Sequence, residues 1–159
     1  MPTFPNANYL FHKIEYDYWE EEHKTQEWAP DAFIDSVLPV VEAGNATMVA
    51  EDHQIDNGLS LEHTPGHTPG SQCFLVENRL VAGDTLFLEG CGRTDLPGGD
   101  PAALYDSLHN RLSKVPDEAT LFPGHLYSPE PMALMGQTRQ QNYVFLPRSE
   151  EQWLTMFAG

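Results

Sequence analysis

The run His63-Thr64-Pro65-Gly66-His67-Thr68-Pro69-Gly70-Ser71 limits the fold more tightly than any other part of the chain. Its prolines fix φ and remove backbone donors, and its glycines interrupt helix and strand alike, so the run must be a turn. Before it, Leu59, Leu61 and His63 alternate with Ser60, Glu62 and Thr64, which predicts a strand with one buried face. Residues 72–76 read as the next strand. His67 is thereby placed at a loop tip, and His63 on the face shared by Leu59 and Leu61.

Two later stretches repeat the pattern of an apolar strand that ends in glycine and meets a metal-competent side chain. They are Leu80-Val81-Ala82-Gly83-Asp84 and Thr120-Leu121-Phe122-Pro123-Gly124-His125. Imidazole and carboxylate are common ligands of divalent metals, and loops at strand ends bring residues distant in sequence together. Three such ends predict one shared site.

The runs Thr-Pro-Gly-His-Thr-Pro-Gly-Ser, Ala-Gly-Asp-Thr-Leu-Phe and Phe-Pro-Gly-His, in that order, resemble the later metal motifs of the metallo-β-lactamase-fold hydrolases. Residues 90–100, Gly-Cys-Gly-Arg-Thr-Asp-Leu-Pro-Gly-Gly-Asp, further resemble the branch of glyoxalase II (hydroxyacylglutathione hydrolase) and persulfide dioxygenase. That likeness extends over residues 59–159. The opening, residues 3–7 through 35–40, is more like the acyl-homoserine lactonases.

The resemblance implies an α/β (α+β) fold, part of an αββα sandwich of two helix-covered sheets, as one domain over residues 1–159. It also implies a zinc site in which Asp84 bridges two ions, His67 binds one and His125 the other. A metal-bound water would then attack a thioester, ester or lactone carbonyl. The family's first motif, His-x-His-x-Asp-His, has no counterpart here, since no two histidines are spaced by one residue. The expectation is therefore a domain truncated at its N-terminus. With two protein donors per ion against the three of an open catalytic zinc site, it should bind zinc weakly and hydrolyse little alone.

Two alternatives accompany that expectation. One is a non-catalytic remnant or association module, whose uncovered sheet edges favour a homodimer. The other is a persulfide dioxygenase with a single iron held by His67, His125 and Asp84, a two-histidine, one-carboxylate set.

Other candidates have competing roles. His63 is expected as a buried or outer-shell histidine. Cys91 and Arg93 would lie near the mouth of the resembled site, where Arg93 either meets substrate or pairs with Asp95 or Asp100. Tyr127 either donates a hydrogen bond to a substrate oxygen or is structural. His12, His23, His53 and His109 have no motif around them, so surface or packing roles are expected.

The 159 residues suffice for a real core, about 70% of the unfolded surface being buried at this size. A net charge of −16, from 24 acidic and 8 basic residues, repels nucleic acid and anionic membrane surfaces. The expected partner is a small molecule. Two cysteines make no disulfide framework and favour a reducing compartment, the cytoplasm by default. No signal peptide or membrane span is evident.

Further strands are expected at residues 8–12 and 47–50, a hairpin around Glu77-Asn78-Arg79, and a short buried strand at Leu121-Phe122. Residues 90–99 read as an ordered loop. Helices are expected over residues 15–26, over 32–38 after an Asp31 cap with Pro39 ending or kinking it, and over 101–114 after an Asp100 cap. The last of these carries Leu104, Leu108 and Leu112. Two more are expected over residues 130–142, with Met132, Leu134 and Met135 supplying apolar area, and after Ser149, packing Trp153 and Phe157.

Overall fold

The computed structural model of the chain describes residues 3–25, 32–147 and 149–157, in two units, Met1–Glu51 and Asp52–Gly159. In the first, strand β1 (Tyr9–His12) pairs in parallel with β2 (Ala46–Val49). Parallel pairing requires a crossover, supplied here by helix α1 (Lys13–Thr25), a wide π turn (Phe33–Val37) and helix α2 (Leu38–Glu42).

Pro39 does not end this helical stretch. It sits in the first turn of α2, where a missing N–H costs least, and the deformation falls before it, where the Leu38 N–H reaches back to Phe33 O. The expected end of the first helix at Gln26 and the Asp31 cap lie outside the described residues.

The second unit is built on a six-stranded sheet. Its strands are β3 (His53–Asp56), β4 (Leu59–His63), β5 (Gln72–Val76), β6 (Arg79–Gly83), β9 (Thr120–Pro123) and β10 (Ala133–Leu134), in the order β10-β9-β6-β5-β4-β3. Strands β5 and β6 form the expected hairpin, with Val76 opposite Arg79 and Glu77 at φ +53° in the turn. All neighbours are antiparallel except β6 and β9. Both edges are blunt, β10 being two residues long and β3 carrying a bulge between Gln54 and Asp56.

Asp100 caps the next helix, α3 (Pro101–Asp106), its carboxylate accepting from the Ala102 and Ala103 amides at 2.9 and 3.0 Å. The helical path continues to Lys114 but widens to a π turn over Ser107–Arg111 and tightens to a 3-10 turn over Leu112–Lys114. Leu104, Leu108 and Leu112 are all buried. They pack with Cys73, Leu80, Ala82 and Leu121 of the sheet, so this helix covers one sheet face as its four-residue leucine spacing predicts.

Trp153 of α5 (Glu150–Phe157) completes the core, stacked on Phe157 at 4.0 Å, with its indole N–H on Pro101 O at 2.7 Å. Ser149 caps α5 through the Gln152 amide at 3.3 Å.

Two expectations change. The 90–99 segment is not wholly irregular, because Gly90–Cys91 (β8) pairs with Leu86–Phe87 (β7) in a small ribbon. Residues 130–142 do not form one helix. Ala133 and Leu134 join β9 as β10, and helix α4 runs only over Met135–Gln141. Met135 is buried as expected, whereas Met132, just before β10, and Leu134, within it, are exposed. Among the described residues no helix is long and apolar enough to cross a membrane.

Candidate metal centre

Parallel pairing of β6 and β9 sets Gly83 opposite Pro123, and the Gly124 amide donates to Gly83 O at 2.8 Å. The residues leaving these two strand ends, Asp84 and His125, therefore emerge side by side. His125 Nδ1 donates to Asp84 Oδ1 at 2.6 Å. Glycine is required at 124, because a Cβ there would lie 2.6 Å from Asp84 Oδ1 and 2.8 Å from Gly83 C.

His67 arrives from the Pro/Gly turn. That turn is closed by Thr64 N–H to Ser71 O at 2.8 Å and by the Ser71 hydroxyl, which receives the Thr68 amide at 3.0 Å. The His67 Nδ1–H donates to the main-chain carbonyl of Arg93 at 2.8 Å, leaving the lone pair on Nε2. Nε2 faces Asp84 Oδ2 at 3.6 Å.

The three side chains thus gather about one carboxylate, with a different imidazole on each oxygen. Their side-chain exposures, 21% for His67, 28% for Asp84 and 53% for His125, grade outward toward solvent.

This donor set fits a divalent cation. Two lone-pair atoms facing each other at 3.6 Å, beyond hydrogen-bond length, repel unless a proton or a cation lies between them, and this span is about the edge of a zinc tetrahedron. The carbonyl behind His67 fixes its tautomer and ring plane, as outer-shell acceptors do for metal-binding histidines. Among the described residues no three His, Cys, Asp or Glu side chains close round a single point. The two facts agree, because His67 and His125 lie on opposite oxygens of Asp84 and so define two incomplete half-sites.

The other residues singled out in the sequence have the following surroundings. His63 is buried, with Nε2 against Pro69 O at 3.1 Å and its carbonyl held by Arg111, so it braces the turn that carries His67. Arg93 is paired with Asp95 at 2.6 and 2.8 Å, while Asp100 serves as the helix cap. Tyr127 stacks on His125 at 5.3 Å, and Phe87 meets both rings edge-on. Cys91 is partly buried in β8, and burial pushes its thiol up to about 12. His109 packs against Tyr105 and donates toward Val144 O, with burial pushing its pKa down, so packing is its role.

Three contributors carry no obvious mark in the sequence. Arg93 acts on His67 through its carbonyl, which every residue type possesses. Gly92 lets that loop close, since a Cβ there would lie 2.0 Å from Asp84 O and 3.0 Å from the His67 ring. Thr85, next to Asp84, is buried and hydrogen-bonded to the Thr64 hydroxyl at 3.1 Å, and Thr64 in turn meets Cys73 Sγ at 3.3 Å. This chain of hydroxyls ties the Asp84 loop to the His67 turn. Thr85→Val should cost about 1–2 kcal/mol, read as a lowered urea midpoint at unchanged slope.

Burial also raises the Cys73 thiol, to about 11. Both thiols are thus protonated in the folded chain at pH values where the unfolded chain ionises them. Their stabilisation is complete below pH 9 and is lost progressively as pH rises toward 11–12. Urea midpoints from pH 8 to 10.5 should fall, and a Cys73→Ala/Cys91→Ala variant should flatten that fall.

Known proteins match parts of this chain. A probable polyketide biosynthesis zinc-dependent hydrolase, BaeB of Bacillus velezensis, is 31% identical over 91 residues, which cover 57% of this chain and 40% of that protein. Human mitochondrial persulfide dioxygenase ETHE1 is 38% identical over 71 residues, 43% of this chain and 28% of that one. The chain spans two fifths or less of the length of these curated relatives. The crystal structure of ETHE1 from Myxococcus xanthus superposes with a TM-score of 0.63 at 30% identity, over 72% of this chain and 52% of that one. A family model, that of the metallo-beta-lactamase superfamily, matches residues 1–125, most of the chain, and the chain belongs to that superfamily.

Proposed function

We propose that this chain carries part of the metal centre of a hydrolase acting on a small thioester, ester or lactone, with His67, Asp84 and His125 as ligands. The observation that carries the reading is the Asp84 carboxylate set between two imidazoles, 2.6 Å from His125 Nδ1 and 3.6 Å from His67 Nε2. Similarity to a protein described as a zinc-dependent hydrolase supports it.

A divalent ion held there supplies Lewis acidity toward a carbonyl oxygen and lowers the pKa of water toward neutrality. The chain's own residues supply the frame. Arg93 O keeps the His67 Nε2 lone pair turned inward, and Asp84 offers one oxygen to each side. The Tyr127 hydroxyl, on a largely exposed ring stacked over His125, would donate to a substrate oxygen. Two donors per ion is fewer than the three of an open catalytic zinc site, so turnover needs donors beyond these three.

The test is metal content after purification, with thioester and lactone turnover measured on this chain and on a version extended with a His-x-His-x-Asp-His segment. Zinc retention and turnover should rise together in the extended protein. Equal and full activity of the 159 residues alone would overturn the need for further donors, and absence of metal from both would overturn the hydrolase reading.

A second reading, persulfide oxidation at one iron, is favoured by the likeness to the two ETHE1 proteins. It is disfavoured by the placement of the two imidazoles on different carboxylate oxygens. Iron content and oxygen uptake with glutathione persulfide decide between them.

A further inference from the structure

Asn142, just beyond α4, is 2% exposed and uses the whole hydrogen-bonding capacity of its side chain. Nδ2 donates to Phe87 O and to Gly90 O, each at 3.0 Å, and Oδ1 accepts the amides of Gly90 at 2.9 Å and Val144 at 3.2 Å. Its own amide donates to Thr138 O at 2.9 Å, which fixes it to the end of α4.

The β7–β8 ribbon that it grips has only two residues in each strand, too few to hold its own shape. Three of the four side-chain bonds of Asn142 go to that ribbon.

The ribbon leads to every member of the candidate centre. The Phe87 ring meets His125 edge-on at 6.1 Å and Tyr127 at 5.0 Å. Two residues past Gly90, Gly92 lies so close to Asp84 O and the His67 ring that no Cβ fits. Next comes Arg93, whose carbonyl receives the His67 Nδ1–H.

We propose that Asn142 is a positioning residue for this centre, locking the β7–β8 ribbon so that Arg93 O fixes the His67 tautomer and Phe87 fixes the His125 ring. The inference rests on the proposal that these histidines are ligands. Only a carboxamide serves at this position. A carboxylate brings no donors for the Phe87 and Gly90 carbonyls, and an aliphatic side chain brings neither donors nor an acceptor for the Gly90 amide.

The experiment uses the full 159-residue chain, free of metal and then titrated with zinc alone. Nitrogen-15 histidine spectra report the His67 tautomer, and calorimetry reports zinc affinity. Wild type should show a single Nδ1–H tautomer. Asn142→Ala and Asn142→Asp should show mixed tautomers and bind zinc about 10–100-fold more weakly. Should both fail to fold, Asn142→Ser, which keeps one donor and an acceptor, should give an intermediate result.

Val115→Ala is the control. It removes apolar volume from the core at a residue outside the ribbon, and should lower the urea midpoint while leaving the His67 tautomer and zinc affinity as in wild type. An unchanged tautomer in the Asn142 variants, or an equal change in Val115→Ala, would overturn the proposal. If wild type binds no zinc, the ligand reading fails, and the metal-free tautomer still decides whether Asn142 acts as a lock.

Discussion

Asp84→Asn weakens zinc binding by about 100-fold or more, measured by calorimetric titration and by metal content after dialysis, because one carboxylate serves both imidazoles. Loss of an outer-shell partner typically costs 10–100-fold, and loss of the central anionic donor costs at least as much. An asparagine oxygen remains but carries no charge, and its amide nitrogen must face one of the two histidines.

The single-histidine variants sharpen this expectation. His67→Ala and His125→Ala should each remove one half-site and leave the other, so zinc stoichiometry falls stepwise. Asp84→Asn should lower affinity at both. Native affinity in Asp84→Asn would overturn the assignment of Asp84 as the shared ligand. Equal and complete loss in all three variants would point instead to one ion.

Trp153→Ala destabilises the chain by about 3–5 kcal/mol, the usual cost of removing a buried tryptophan, and lowers its melting temperature by roughly 10 °C. The indole is fully buried, stacked on Phe157, tilted against Tyr105 and edge-on to His109. Its N–H closes on Pro101 O at 2.7 Å, which ties the last helix to the first turn of α3. Alanine would leave a large cavity and that carbonyl unpaired. Trp153→Phe should recover part of the volume but not the hydrogen bond, so its cost should fall between wild type and alanine. A change below about 1 kcal/mol in Trp153→Ala, from urea melts, would show that the last helix is peripheral to stability.

The locally encoded features were legible in the residues. The Pro/Gly frame of His67, the alternation of Leu59, Leu61 and His63, the Asp100 and Ser149 caps and the spacing of Leu104, Leu108 and Leu112 each depend on neighbours a few positions away. Each appears where its local chemistry places it. Residues 133–134 misled for the converse reason. In sequence they join a helix-compatible run, yet pairing with Leu121 and Thr120 recruits them into the sheet. The widening over Ser107–Arg111 and the displaced deformation beside Pro39 are likewise settled by packing and hydrogen bonding beyond the pattern of apolar residues.

By itself, then, the sequence determined which side chains could serve a metal and that each would stand at the end of a strand, because glycine, proline and side-chain alternation act over short distances. Tertiary structure alone decided how those ends meet. The parallel register of β6 with β9 puts His125 against Asp84, and the Arg93 carbonyl turns the His67 lone pair toward the other oxygen. Both depend on contacts between residues 26 to 41 positions apart, made partly by main-chain groups common to all residue types, so side-chain identities along the chain leave no trace of them.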